Sequence, residues 1–325
     1  MLKVIYKKDA VTGERIESSL LQILAYFSVF DFPLSADEIR RFLPPGSNEE
    51  VVEPALSRLV EAGAIFKLDK VYSLQNNMEP VMKKHQAYQR AQQLLPHAMK
   101  IGRLLCGFPF VRGIGISGSL SKMYANDKAD FDFFIITKAD RLWIARTIMH
   151  LYKKWTFLRG RQHYHCMNYF LDEKALQLKD QNIYTAIETI TLIPVCGEGL
   201  QDFFAANGWV SEWFVTYPSV IKTQQPPATR SRIKRVMEWM FDNRPGERLD
   251  NYLMKLTSRR WKKKEQQGML NYEGKEMSLL TGKHFARSNP DSFQQKTVWL
   301  YSERMKQLKN KWPGYFEPFN YSFEE

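Results

Sequence analysis

Apolar residues recur at near-helical spacing from Ile16 to Val29, at Leu20, Leu21, Ile23, Leu24 and Phe27, and Phe32-Pro33-Leu34 breaks the run. Ser35-Ala36-Asp37-Glu38 then reads as a capping box that opens a short helix ending near Leu43. Pro44-Pro45-Gly46 is a turn, and Ser47 through Glu50 forms a second box. It leads a third helix with Val51, Val52, Leu56, Leu59 and Val60, which stops at Gly63. Two short β-prone runs follow, Ala64–Leu68 and Val71–Leu74, joined by Asp69-Lys70. Residues 77 to about 106 read as one long helix, bent near Pro96, with Leu94, Leu95, Met99, Ile101 and Leu104 on one side. Gly113–Ser117 and Ala129–Thr137 read as strands, separated by a Gly118-Ser119 turn, a short helix over Leu120–Tyr124 and a polar loop. A helix over Asp140–Phe157, a strand over His163–Leu171 and a helix over Ile183–Leu192, with Glu188 among its apolar residues, come next. Beyond an aromatic-rich stretch (Phe203 to Phe214) and a polar linker from Lys222 to Thr229, helices are predicted over Arg230–Phe241, Glu247–Lys264 and Asp291–Lys309.

Three helices followed by a two-stranded wing resemble a winged helix domain. In such domains the third helix often enters DNA. Here it carries Glu49, Glu50, Glu53 and Glu61 against one Arg58, a charge that opposes phosphates. An intramolecular or protein-contacting role fits it better. The expected fold class is α+β and multidomain. It comprises a winged-helix-like domain (1–76), a connector helix (77–107), a small mixed-sheet core (108–200) and a mostly helical C-terminal domain (201–325).

Composition narrows the class. The 325 residues are 44% hydrophobic, which excludes global disorder. No stretch reaches the ~20 apolar residues of a membrane span, and the N-terminus lacks the apolar run of a secretory leader. The three cysteines, Cys106, Cys166 and Cys196, form no CxxC pair. This odd, widely spaced set predicts three buried thiols in a reducing compartment, not a disulfide or zinc framework. A cytoplasmic protein with no membrane partner is expected. The net charge of +12 is uneven: residues 221–325 hold 21 Lys+Arg and 12 Asp+Glu. That excess can attract a nucleotide, a nucleic acid or an acidic partner, or it can be solvated helix surface. The run Arg259-Arg260-Trp261-Lys262-Lys263-Lys264 has the same two readings, RNA contact or a basic helix end that favours the dipole.

The segment Gly113 to Thr137 carries the candidate chemistry. On a strand, Asp130 and Asp132 share a face and lie about 7 Å apart, so two carboxylates can converge on Mg²⁺. Phe131 and Phe133 point the other way. Gly118 lets backbone approach a phosphate. Ser119 offers a hydroxyl beside a helix N-terminus, where free N–H groups favour anions, and Lys122 can neutralise further charge. Ile116-Ser117-Gly118-Ser119, ten residues, then Asp130-Phe131-Asp132-Phe133-Phe134-Ile135 resembles the signature of the DNA polymerase β-type nucleotidyltransferase superfamily. The wider run, with SGSLSKMY, Arg141-Leu142-Trp143 and Cys166-Met167-Asn168-Tyr169-Phe170, is similar to uncharacterised bacterial nucleotidyltransferase-domain proteins.

The resemblance implies transfer of a nucleoside monophosphate from an NTP to an acceptor (small molecule, protein or RNA). Mg²⁺ or Mn²⁺ would be held by Asp130 and Asp132, and the triphosphate by Gly118, Ser119 and Lys122. It also implies a third carboxylate on a neighbouring strand, yet His163–Leu171 contains no Asp or Glu. Asn168 can offer a neutral oxygen, and Asp172 is the nearest acid. His163 and His165 share a strand face but lack a further ligand at metal spacing. Two alternatives remain: a catalytically weak or inactive nucleotide-binding regulator, and a nucleic-acid-binding regulator using the winged helix and the basic C-terminus, nucleic acid being the less favoured partner.

Overall fold

The computed structural model describes residues 16–127, 130–157, 166–216, 232–268, 277–290 and 293–316. It is a mixed α+β chain with a three-stranded and a six-stranded sheet. The N-terminal part holds α1 (Ile16–Ser28), β1 (Leu34–Ser35), α2 (Ala36–Arg40), α3 (Val52–Glu61), β2 (Phe66–Leu68) and β3 (Val71–Ser73), with strands in the order β1-β3-β2. The capping box forms as expected: Glu38 N donates to Ser35 Oγ at 3.2 Å and Ser35 N to Glu38 Oε2 at 2.7 Å. The second box does not. Ser47 Oγ turns back to Pro44 O, and the neighbouring Asn48 caps Glu50 N at 2.9 Å instead.

The long helix α4 (Glu79–Cys106) contains Pro96 and leads to the larger sheet. That sheet is built from β4 (Val111–Ser117), β5 (Asp132–Thr137), β6 (Cys166–Asp172), β7 (Ile193–Cys196), β8 (Met277–Thr281) and β9 (Phe285–Pro290). The order is β7-β4-β5-β6-β9-β8. β5 runs antiparallel to β4 and parallel to β6, across the helix α5 (Leu142–Phe157). The hairpin β8–β9 joins the edge of β6, so the C-terminal third is not only helical. The remaining helices are α6 (Ile183–Ile190), α7 (Gly199–Ala206), α8 (Arg232–Phe241), α9 (Arg244–Gln266) and α10 (Phe293–Lys311).

Strand alternation divides β5 between two cores. Phe133 and Ile135 join Trp143, Met149, Phe170 and Trp261 on one face. Phe134 and Ile136 join α6, α7 and the whole N-terminal part on the other. That second core is continuous from α1 to α10: Tyr26 meets Tyr301 with ring centres 6.1 Å apart. The winged-helix-like elements thus pack within the chain. Cys106, at the end of α4, and Cys196, on β7, form a disulfide with Cα atoms 6.6 Å apart, which corrects the expectation of three thiols. Wide spacing in sequence did not mean distance in space, because α4 and β7 are neighbours in the fold. Cys166 is free. Among the described residues no helix is long and apolar enough to cross a membrane. The expected linker, Lys222 to Thr229, lies outside the described residues.

Candidate functional site

β4 and β5 pair so that Ser117 faces Asp132. The chain leaves β4 through Gly118, which adopts φ +70°, a left-handed conformation that glycine takes without strain. A Cβ there would lie 2.4 Å from Asp132 Oδ2. The turn and the carboxylate are therefore in contact, and only a missing side chain permits it. Beyond the exposed Ser119, the expected helix is a single 3₁₀ turn, Leu120–Lys122, ended by Met123 at φ +56°. Its short length weakens the helix-dipole argument for anion binding. Lys122 Nζ instead donates to Gly118 O at 3.2 Å.

Asp132 opens β5 and is half-buried, whereas Asp130 precedes the regular strand. Between and after them Phe131 and Phe133 are fully buried, which directs the two carboxyls to the opposite side. Asn168 on β6 donates Nδ2 to Asp132 Oδ1 at 2.8 Å. Cys166 Sγ donates to Asp130 Oδ2 at 3.4 Å. Burial, then the neighbouring Asp130 charge, pushes the Asp132 carboxyl up to about 7. Burial likewise pushes the Cys166 thiol up to about 12, so it stays protonated at neutral pH.

Glu188 was missed as a site residue. Its Oε1 lies 2.8 Å from Lys122 Nζ, and its charge acts on Asp132. A signal existed, since Glu188 is the one charged residue in IYTAIETI. A helix pattern alone, however, does not say that this acid faces another strand's carboxylates. Two tyrosines, Tyr26 on α1 and Tyr184 on α6, adjoin it. Both hydroxyls are held well above their ordinary value, first by burial and then by the Glu188 charge.

The structure thus brings Gly118, Lys122, Asp130, Asp132 and Asn168 together, with Ser119 at the rim. It does not bring Asp172. In the β5–β6 register Asp132 pairs with Cys166 and Thr137 with Asp172. Five strand residues, roughly 17 Å, separate Asp172 from the dyad. Asp172 is fully buried and accepts from Asp140 N and Lys174 N, each at 2.9 Å, and from His284 Nδ1 at 2.8 Å. It braces the segments after β5 and β6 and the β8–β9 turn, and is no third ligand. Asp140, Asp172 and His284 have ligand atoms within 4.8 Å of one another. The ammonium groups of Lys174 and Lys283 reach Asp140 at 2.5 and 3.1 Å, so lysines already supply positive charge there. His163 and His165 lie outside the described residues.

The basic run on α9 divides. Arg259, Arg260 and Lys262 to Lys264 are exposed, but Trp261 is buried beneath Arg146, whose guanidinium lies 4.6 Å from the ring centre. Trp261 is therefore unavailable for stacking a base. No family model, curated protein or solved structure matches the chain.

Proposed function

We propose that this protein is a metal-dependent nucleotidyltransferase that moves a nucleoside monophosphate from an NTP to an acceptor hydroxyl. The observation that carries the reading is the contact between the Gly118 turn and the Asp132 carboxylate, with Asp130 beside it.

The donor set fits a hard divalent cation. Asp130 and Asp132 supply carboxylate oxygens, Asn168 stands beside Asp132, and burial followed by the Asp130 charge raises the Asp132 carboxyl, an ionisation cost that a cation would relieve. Mg²⁺ or Mn²⁺, when bound, neutralises phosphate charge and polarises the α-phosphate. The chain's own part is positioning. Gly118 lets backbone approach the triphosphate, Ser119 presents its hydroxyl at the rim, and Lys122 offers an ammonium group. Glu188 fixes that ammonium and brings a third carboxylate from α6, where the neighbouring strand has only Asn168. In the reaction an acceptor oxygen–phosphorus bond forms, the bond to pyrophosphate breaks, and the acceptor proton passes to a carboxylate.

Asn168 also supports a second reading, a nucleotide-binding regulator without turnover. The two are separated by NTP labelled at the α-phosphorus, offered with small-molecule, protein and RNA acceptors. The enzyme reading expects label to enter one acceptor class with Mg²⁺, and not in Asp130→Ala/Asp132→Ala. Label that binds but never transfers to any class supports the regulator.

A further inference from the structure

The helix α8 is packed inside out. An amphipathic helix normally buries its apolar stripe and exposes its charges. Here Lys234 is 3% exposed, and its Nζ donates to Cys106 O and Val111 O, each at 2.9 Å. Glu238 also turns inward, accepting from Phe110 N at 2.7 Å and Arg112 Nη1 at 2.8 Å. At the helix end Arg141 Nε donates to Phe241 O at 2.8 Å. Polar contacts thus fasten α8 to the core along its inner face. The outer face carries Ile233, Val236, Trp239 and Met240, with Trp239 82% and Ile233 71% exposed. Turning the helix over would bury these four, but it would leave the Cys106 and Val111 carbonyls and Arg112 without these partners. The fold therefore holds the apolar stripe outward.

Among the described residues of α8, the charge beside the stripe is of one sign. Arg232 and Arg235 flank it and, with Val236 and Trp239, line an open hollow. Glu238 is turned in, and Asp242 at the helix end pairs with Lys138. We infer that α8 is a docking surface for anionic phospholipid, with Arg232 and Arg235 on headgroup phosphates and the four apolar side chains in the acyl boundary. Among the described residues, the outward face of the helix carries cations and no carboxylate, which complements an anionic surface. Ile233, Val236 and Met240 cannot stack on bases, which disfavours RNA, and α8 packs near Val111, at the opposite end of β4 from Ser117 and the dyad. The face offers a protein partner only an open hollow between Arg232, Arg235, Val236 and Trp239, whereas a lipid interface needs no complementary groove. The expectation of no membrane partner rested on spanning length, which does not bear on a helix lying in the interface.

The test is co-sedimentation of the full chain with vesicles of one part phosphatidylglycerol to three of phosphatidylcholine, against phosphatidylcholine alone, without nucleotide. We expect binding to the anionic vesicles, weakened by salt. It should fall about fivefold for Arg232→Gln or Arg235→Gln and at least about tenfold for Val236→Ser/Trp239→Ser. These positions are exposed, so melting temperatures should match wild type. A wild-type protein that stays in the supernatant overturns the inference. So does vesicle binding that the Val236→Ser/Trp239→Ser variant retains. A concentration-dependent dimer that this variant abolishes, with no lipid binding, assigns the face to a second copy instead.

Discussion

Asn in place of Asp132 should weaken Mg²⁺-dependent NTP binding at least tenfold and yet raise the melting temperature of the metal-free protein, more at pH 8 than at pH 5. The first effect follows from removing one of two carboxylates in the proposed ligand set. The second follows from linkage. The Asp132 carboxyl is held at about 7 in the folded chain, against an ordinary 3.8. The folded state therefore binds this proton more tightly than the unfolded state does. Below about pH 4 both states are protonated and the charge costs nothing. As pH rises from about 4 to about 7, the unfolded carboxyl ionises freely while the folded one resists, and wild-type stability declines relative to a neutral side chain. Above about 7 the difference is constant. Asparagine never ionises, and its amide oxygen can still accept from Asn168 Nδ2. The difference in melting temperature between variant and wild type should thus grow across that window and then level. A difference independent of pH would show that the folded chain does not raise the Asp132 carboxyl through burial and the Asp130 charge. Intact NTP binding would remove it from the site.

Asn in place of Asp172 should do the reverse: lower stability markedly and leave NTP binding unchanged. Asp172 Oδ2 accepts from Asp140 N and His284, and Oδ1 accepts from Lys174 N. An amide offers one oxygen and one NH₂, so whichever way it turns a buried donor faces a donor. An unsatisfied buried donor costs about 1–3 kcal/mol, and more next to a charged partner. At roughly 2 cal/mol/K of unfolding entropy per residue, each kcal/mol lowers Tm of this 325-residue chain by only about 1–2 °C. Thermal melting of the variant beside a nucleotide titration reads both quantities. Loss of binding at unchanged stability would return Asp172 to the role of third acid.

Local chemistry was legible, and tertiary placement was not. The Ser35–Glu38 box, the strand-turn-strand around Gly118, and the alternation that buries Phe131 and Phe133 follow from neighbours in sequence. The hairpin β8–β9 was not seen, because SLLT and HFARS alternate weakly and gain their order only by adding to the edge of β6. Asp172 is the nearest acid to the expected strand His163–Leu171, but its place at the end of that strand puts its side chain at the far end of the sheet from the dyad. Glu188 was passed over because nothing local says that α6 lies across the dyad. On α8, MEWMF reads as an ordinary amphipathic run. Which face turns inward was decided by carbonyls at Cys106 and Val111, more than 100 residues earlier.

In the proposed function the Gly118 turn and the Asp130–Asp132 pair form a metal-dependent nucleotide site. Calorimetric titration of each of the four NTPs, with and without Mg²⁺, into wild type and Asp130→Ala/Asp132→Ala tests it without knowledge of the acceptor. At least one NTP should bind in a manner that requires Mg²⁺ and vanishes in the double variant while the fold persists. Binding that survives in the double variant, or folded wild type that takes up no NTP, would contradict it.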